Sequence, residues 1–227
     1  MAKQNVIKNN KFKNAFKIAA AALCAAAIVA IVIITGRQNA DKAEKTLNTT
    51  VMGTTASITV YGRNGSDIID DIMDLENNLD EKVISWRSDG SEVWNINHSY
   101  KAGEDYQISD ELADVLERTL EISEDNGDLL DITIRPLAEV WGIESGSTNV
   151  PSQTDIDAAL SDVDVTQVTC ISAKNSSDGK PYVNIAREGM SLDFGAVGKG
   201  YGCDVAADYL EETSVTGACV ALGGSIM

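Results

Sequence analysis

The chain has 227 residues, 44% of them hydrophobic and 23% charged, proportions that suit a packed fold and speak against a disordered chain. Its net charge of −17 is unevenly laid out: the first 37 residues hold six of the 18 Lys and Arg and none of the 35 Asp and Glu, leaving 12 cations against 35 acids beyond them. So acidic a body repels nucleic acid and anionic headgroups, which argues against a nucleic-acid partner and requires placed cations, backbone amides or a metal around any phosphate-bearing ligand.

Residues 1–17 form a basic N-terminus carrying Lys3, Lys8, Lys11, Lys13 and Lys17. The uncharged run 18–36 that follows is rich in Ala, Ile and Val, and as a helix its 19 positions span roughly 28 Å, about one hydrocarbon core. A retained transmembrane anchor is favoured over a cleaved secretory signal, because Gln38, Asn39 and Ala40 make a poor cleavage site. The lysines before the run, against Arg37 after it, put the N-terminus in the cytoplasm and the domain on the extracytoplasmic side of the cell membrane. Residues 37–48 read as a polar linker, and 49–227 as the folded body.

Within the body, Thr, Ile and Val alternate over residues 51–61 as in a strand. Residues 66–83 place Ile68, Ile69, Ile72, Leu75, Leu79 and Val83 at helical spacing with carboxylates on the other face, and Ser66 is a candidate cap. Residues 84–100 read as a loop holding Trp86, Trp94 and the single histidine, His98. A second helix is expected over 109–126, with Leu112, Val115, Leu116, Leu120 and Ile122 inward. An apolar stretch broken by Pro136 comes next, then a short capped helix over 151–160. Residues 163–186, interrupted by a turn at 175–179, read as two or three strands. Helices and strands mix without a βαβ repeat, so the expected class is α+β, a mixed or antiparallel sheet packed with helices.

The stretch LDFGAVGKGYGCDVAADYL, residues 192–210, carries the most chemistry. Gly195, Gly198, Gly200 and Gly202 let the backbone approach a ligand, and a following helix would aim unpaired amides at the same place, a geometry that fits a pyrophosphate. Lys199 supplies a local cation, and Asp193 can accept hydrogen bonds; a strand-to-helix turn needing glycine only for packing is the plainer alternative. In GDLLDITIRPLAEVWGI, Asp131 sits among apolar residues and needs a partner if buried, or else is an exposed turn carboxylate. His98 has no second histidine or adjacent nucleophile and reads as solvated. The tryptophans either stack on a flavin or adenine ring or belong to the core. Cys170, Cys203 and Cys219 are widely spaced, without a CxxC pair, and read as buried free thiols.

Taken in order, MGTTASITVYG, ISWRSDGSEVWNIN, DITIRPLAEVWGI, PSQTDIDAAL, LDFGAVGKGYGCDVAADYL and GACVALGGSIM resemble the FAD:protein FMN transferases, the ApbE family, over nearly all of residues 51–227. The resemblance implies a Mg²⁺-assisted enzyme. It would split FAD, attach FMN to a Thr or Ser hydroxyl of a target protein at the membrane or outside it, such as a redox protein, and release AMP. It also implies that Met52 and Trp86 line the flavin site, that Leu129, Leu130 and Asp131 contact FAD, that Asp193 and Lys199 bind it, and that Ala196 offers its carbonyl to Mg²⁺. Trp86 stands where the family often has tyrosine. Arg135 stands where glycine is frequent and is a candidate second phosphate cation. Family members continue for roughly another hundred residues that supply the remaining metal ligands and a candidate base. The domain is therefore expected to be incomplete at its C-terminus, with no catalytic residue assigned. A non-catalytic FAD-binding surface protein or an inactive fragment are the alternatives.

Overall fold

A computed structural model describes residues 22–36 and 42–227. Residues 1–21 and 37–41, which include the basic N-terminus and the start of the expected membrane span and linker, lie outside the described part. Residues 22–36 are helical (α1), and their side chains, including Leu23, Ile28 and Ile31, are exposed. Among the described residues no helix is long and apolar enough to cross a membrane.

The body is α+β, and its paired strands are antiparallel. Glu44–Val51 (β1) and Thr54–Tyr61 (β2) form a hairpin joined by Met52 and Gly53. Both turn residues have positive φ, 49° and 67°, as a two-residue type I′ turn demands, so Met52 occupies a place that usually goes to Asn or Gly. Residues 44–48 of the stretch expected as linker are therefore strand. Their faces are largely polar and exposed, which left no alternation to read.

Gly217–Leu222 (β6) pairs with β2, and Ser225–Ile226 (β7) with β6, giving the order β1-β2-β6-β7. One face of this sheet presents Ala56, Ile58, Val60, Val220 and Leu222 to two helices, Gly65–Asn78 (α2) and Gly198–Glu211 (α7), and this is the first core. The other face carries Thr46, Asn48, Thr55, Ser57 and Thr59, with the hydroxyls of Thr46 and Thr59 2.9 Å apart.

Asp105–Gln107 (β3), Val168–Ile171 (β4) and Tyr182–Ile185 (β5) form a second sheet in the order β3-β5-β4. Val168, Val183 and Ile185 pack there against Glu92–Ser99 (α3) and Asp110–Asp125 (α4), with Phe194 and Leu192 closing the second core. Met52 packs against both cores, at their seam. Two short helices, Arg135–Val140 (α5) and Gln153–Leu160 (α6), complete the chain, the first with Pro136 in its opening turn and the second capped by Ser152.

Three local expectations change. Ser66 does not cap α2, which starts one residue earlier behind a left-handed Asn64. Residues 84–100 are not all loop: Ser91 caps α3 by accepting the Trp94 amide at 3.0 Å. Ile122, expected inward on α4, is 48% exposed, because the buried stripe of the helix runs through Leu112, Leu116, Thr119 and Ser123 and leaves Ile122 at its edge.

Candidate functional site

Past Asn78, α2 widens into a π-helical turn, Leu79–Ile84, closed by the Ser85 amide on the Asp80 carbonyl (3.1 Å). Such turns carry an extra residue per turn and are frequent at functional sites. The turn delivers the chain into a loop that is hydrogen-bonded to itself. The buried Ser85 Oγ accepts the amides of Arg87 (3.2 Å) and Ser88 (3.1 Å), and the buried Ser91 hydroxyl donates to the Ser85 carbonyl. This holds Trp86 half-buried, with the guanidinium of Arg135 3.2 Å and that of Arg87 4.3 Å from its ring centroid. Arg135 is also paired with Glu139 (2.8 Å) and Glu144 (2.9 Å), so carboxylates already balance the charge that the sequence offered to a phosphate.

The glycine-rich loop is the facing wall. The Asp193 amide donates to the Ile132 carbonyl (2.7 Å), and its carboxylate accepts the Gly195 amide (2.7 Å), turning the chain into α7. Gly198 begins that helix against Ile84, whose Cδ1 would lie 2.6 Å from any added Cβ, so a side chain there would separate the two walls. Lys199 lays its ammonium on the Gly195 carbonyl (3.1 Å), beside the opening turn of a 14-residue helix. Unpaired amides and the positive end of the helix dipole add to that one lysine charge.

A cavity lies between the walls and the hairpin turn, lined by Met52, Asp80, Ile84, Ser85, Trp86, Arg87, Phe194, Gly195, Gly198 and Lys199. It encloses only ≈ 40 Å³, but Trp86 and Arg87 also line a cleft of ≈ 550 Å³ that runs past Trp94, Asn97, His98 and Arg135. Of the residues singled out from sequence, the structure brings Met52, Trp86 and Lys199 to this cavity, with Asp193 beside its lining residues Phe194 and Gly195.

Leu129, Leu130 and Asp131 are not among its lining residues. Leu129 is 88% exposed, and the Leu130 carbonyl accepts the Ser123 hydroxyl at 2.5 Å. Asp131 has partners on both oxygens: Oδ1 accepts the amide (2.7 Å) and hydroxyl (2.5 Å) of Thr133, and Oδ2 the Val165 amide (3.0 Å). Its carboxylate organises the turn into α5, and this segment reaches the loop through Ile132.

Ala196 is exposed on the far side of the loop, in a cleft of ≈ 310 Å³ that also holds Arg118, Tyr201, Asp204 and Ser225. There Tyr201 donates to Asp114 (2.9 Å), and burial first, then this carboxylate, hold the phenol proton well above its ordinary range. Among the described residues no group of three or more His, Cys, Asp or Glu is placed to hold a metal ion. His98 is exposed and stacks on Trp94, with ring centroids 4.0 Å apart.

Two carboxylates escaped the sequence reading. Asp80 lines the cavity and accepts the Met52 amide at 3.1 Å. Glu76, one turn earlier and expected on the solvent face, is fully buried, and neither of its oxygens has a hydrogen-bond partner. Burial, and then the Asp80 charge, push its carboxyl up to about 7.

The ApbE family model matches residues 52–227. The FAD:protein FMN transferase of Escherichia coli K12 is 26% identical over 149 residues, covering 65% of this chain and 41% of that protein. The one from Treponema pallidum is 29% identical over 181 residues, covering 78% and 49%. Two solved structures share the fold: the ApbE protein of Thermotoga maritima (TM-score 0.69, 24% identity) and the flavin transferase ApbE of Vibrio cholerae (0.71, 22%). Each match covers 81% of this chain and 58% of the other. The chain spans about half the length of the curated relatives it matches.

Proposed function

We propose a function from one premise: the chain belongs to the ApbE family. On that footing it is the FAD-holding part of a protein flavin transferase. The observation that carries this reading is the meeting of three sequence-remote segments, the Met52 turn, the Trp86 loop and the Gly195–Lys199 loop, on one cavity beside a helix N-terminus. An aromatic face, a cation and helix amides are the groups that hold a flavin ring at one end and a pyrophosphate at the other.

In the reaction, a Thr or Ser hydroxyl oxygen of the acceptor protein attacks the phosphorus of the FMN half of FAD. The bond from that phosphorus to the bridging oxygen breaks, and AMP leaves with the electron pair. The hydroxyl proton passes to a base for which this chain offers no assigned residue. Lys199 and the amides at the start of α7 would bind the pyrophosphate and orient it. For Mg²⁺, the Ala196 carbonyl is the one contact that the resemblance assigns, and the described residues place no acidic cluster around it. They do not fit a resident metal site by themselves.

The alternative reading is an FAD-binding surface protein that does not transfer. Incubating the purified chain with FAD, an acceptor protein and Mg²⁺, with and without chelator, separates the two: covalent FMN on the acceptor by intact mass supports transfer, and tight FAD binding without labelling supports the binder. A chain that binds no FAD sinks both.

We also propose that the N-terminal helix anchors the domain outside the membrane. The uncharged run 18–36 and the exposed apolar side chains of α1 support this. Recovery of the protein in the soluble fraction, shortened by its first 40 or so residues, would refute it.

A further inference from the structure

The turn that carries Met52 into the cavity is strained, and something outside the hairpin holds it. Met52 has φ +49°, a conformation that an L residue with an extended side chain rarely adopts. In a two-residue turn the amide of the first central residue has no partner within the hairpin, so Met52 N–H depends on an outside acceptor. That acceptor is Asp80 Oδ2, 28 residues away and 3.1 Å distant. Asp80 stands in the π-helical turn, the segment that also leads into the Trp86 loop, and lines the same cavity as Met52 and Trp86.

Beneath this contact lies a second anomaly. Glu76 is packed against Gly202 of α7, a position that Leu222 of β6 also approaches, with no hydrogen bond to either oxygen, so nothing compensates a negative charge there. The groups that face it are few. From α7 comes Cys203, whose thiol is pushed up by burial and then by Glu76; from β6 comes apolar Leu222; on its own helical run comes Asp80. Asp80 is in turn raised by burial, lowered by the Met52 amide and by Arg87, and raised by Glu81. The two carboxyls thus share one poorly solvated corner, and charge on Glu76 acts on the acceptor of Met52.

We propose that Asp80 is a positioning residue of the flavin pocket: it accepts the Met52 amide, fixes the left-handed turn at the seam of the two cores, and holds Met52 beside Trp86, while the protonation state of buried Glu76 sets how firmly that hold acts. The claim deepens the flavin-site reading and rests on it for its ligand, but the hold on the turn is a property of the ligand-free chain.

Two measurements on the full 227-residue chain in detergent, across pH 6 to 8, test it separately. Amide hydrogen exchange at Met52 and Gly53 reads the turn without ligand, and FAD fluorescence quenching reads the pocket. Asp80→Ala should speed exchange at the turn and weaken FAD about tenfold, with thermal unfolding still cooperative. Asp80→Asn, which keeps an acceptor oxygen, should restore most of both. With each exchange rate divided by the intrinsic rate at that pH, Glu76→Gln should flatten the wild-type fall in turn protection and in FAD affinity between pH 6 and 8. Unchanged turn exchange in Asp80→Ala overturns the proposal, as does equal loss in Asp80→Ala and Asp80→Asn, which would mean direct recognition by charge. If wild type binds no FAD, the flavin reading fails, and turn exchange alone decides whether Asp80 holds Met52.

Discussion

Glu76 gives the sharpest test of the packing between α2 and α7. In the unfolded chain its carboxyl ionises around the ordinary value of 4.5, whereas in the folded protein it keeps its proton to about 7, because it is fully buried and faces the Asp80 charge. Between those values the folded state binds more protons than the unfolded one, so this group makes stability fall as pH rises through that window, levelling off above it. A shift of that size, at 1.36 kcal/mol per pH unit, is worth about 3 kcal/mol. Glu76→Gln keeps the shape and removes the ionisation. Urea unfolding followed by tryptophan fluorescence should show the variant less affected by pH, with its stability relative to wild type improving by about 3 kcal/mol from pH 4.5 to above pH 7. Titrating groups that do not feel the Glu76 charge are common to both proteins and cancel in the difference; Asp80 and Cys203 are coupled to it, so the difference reads the Glu76 site together with them. Parallel pH profiles for the two would show that Glu76 carries its charge without penalty and that the account of its burial is wrong.

Lys199→Ala and Asp193→Ala should each weaken FAD in a fluorescence titration, the first by removing the cation beside the α7 amides and the second by releasing the Gly195 amide; unchanged affinity in both would leave the glycines a packing role only. Gly202→Ala should destabilise by about 1–3 kcal/mol in chemical denaturation, because the new methyl meets the Glu76 carboxylate and lies 3.0 Å from Leu222 Cδ1. Glu76→Gln should not rescue it, since the collision is steric. Ser109→Ala should cost about 1 kcal/mol through the lost cap on the Leu112 amide, 3.0 Å away, with no effect on FAD binding.

What the sequence made legible follows from which faces are buried. Residues 54–61 and the opening of α4 each bury one face, and one-sided burial leaves a period of 2 or 3.6 that survives in the amino-acid string. β1 buries almost nothing until Val51, and α3 buries only Val93 and Ile96, so neither has a pattern to read. The glycine loop was legible because the backbone at Gly198 packs against the Ile84 side chain with no room for a Cβ, and that exclusion is written directly as residue type.

The two carboxylates were illegible for the opposite reason. An acidic residue on an amphipathic helix reads as solvent-facing, and nothing within its own window contradicts that. What buries Glu76 is the helix-to-helix approach at Gly202, and what employs Asp80 is a strained amide 28 residues upstream. Both facts exist only once remote segments are brought together. The strain at Met52 and the buried charge behind Asp80 are each a local cost of order 1 kcal/mol or more, and the bond between Met52 and Asp80 offsets part of the first; that Met52 and Asp80 both stand on the cavity wall is what argues for a role in holding a ligand.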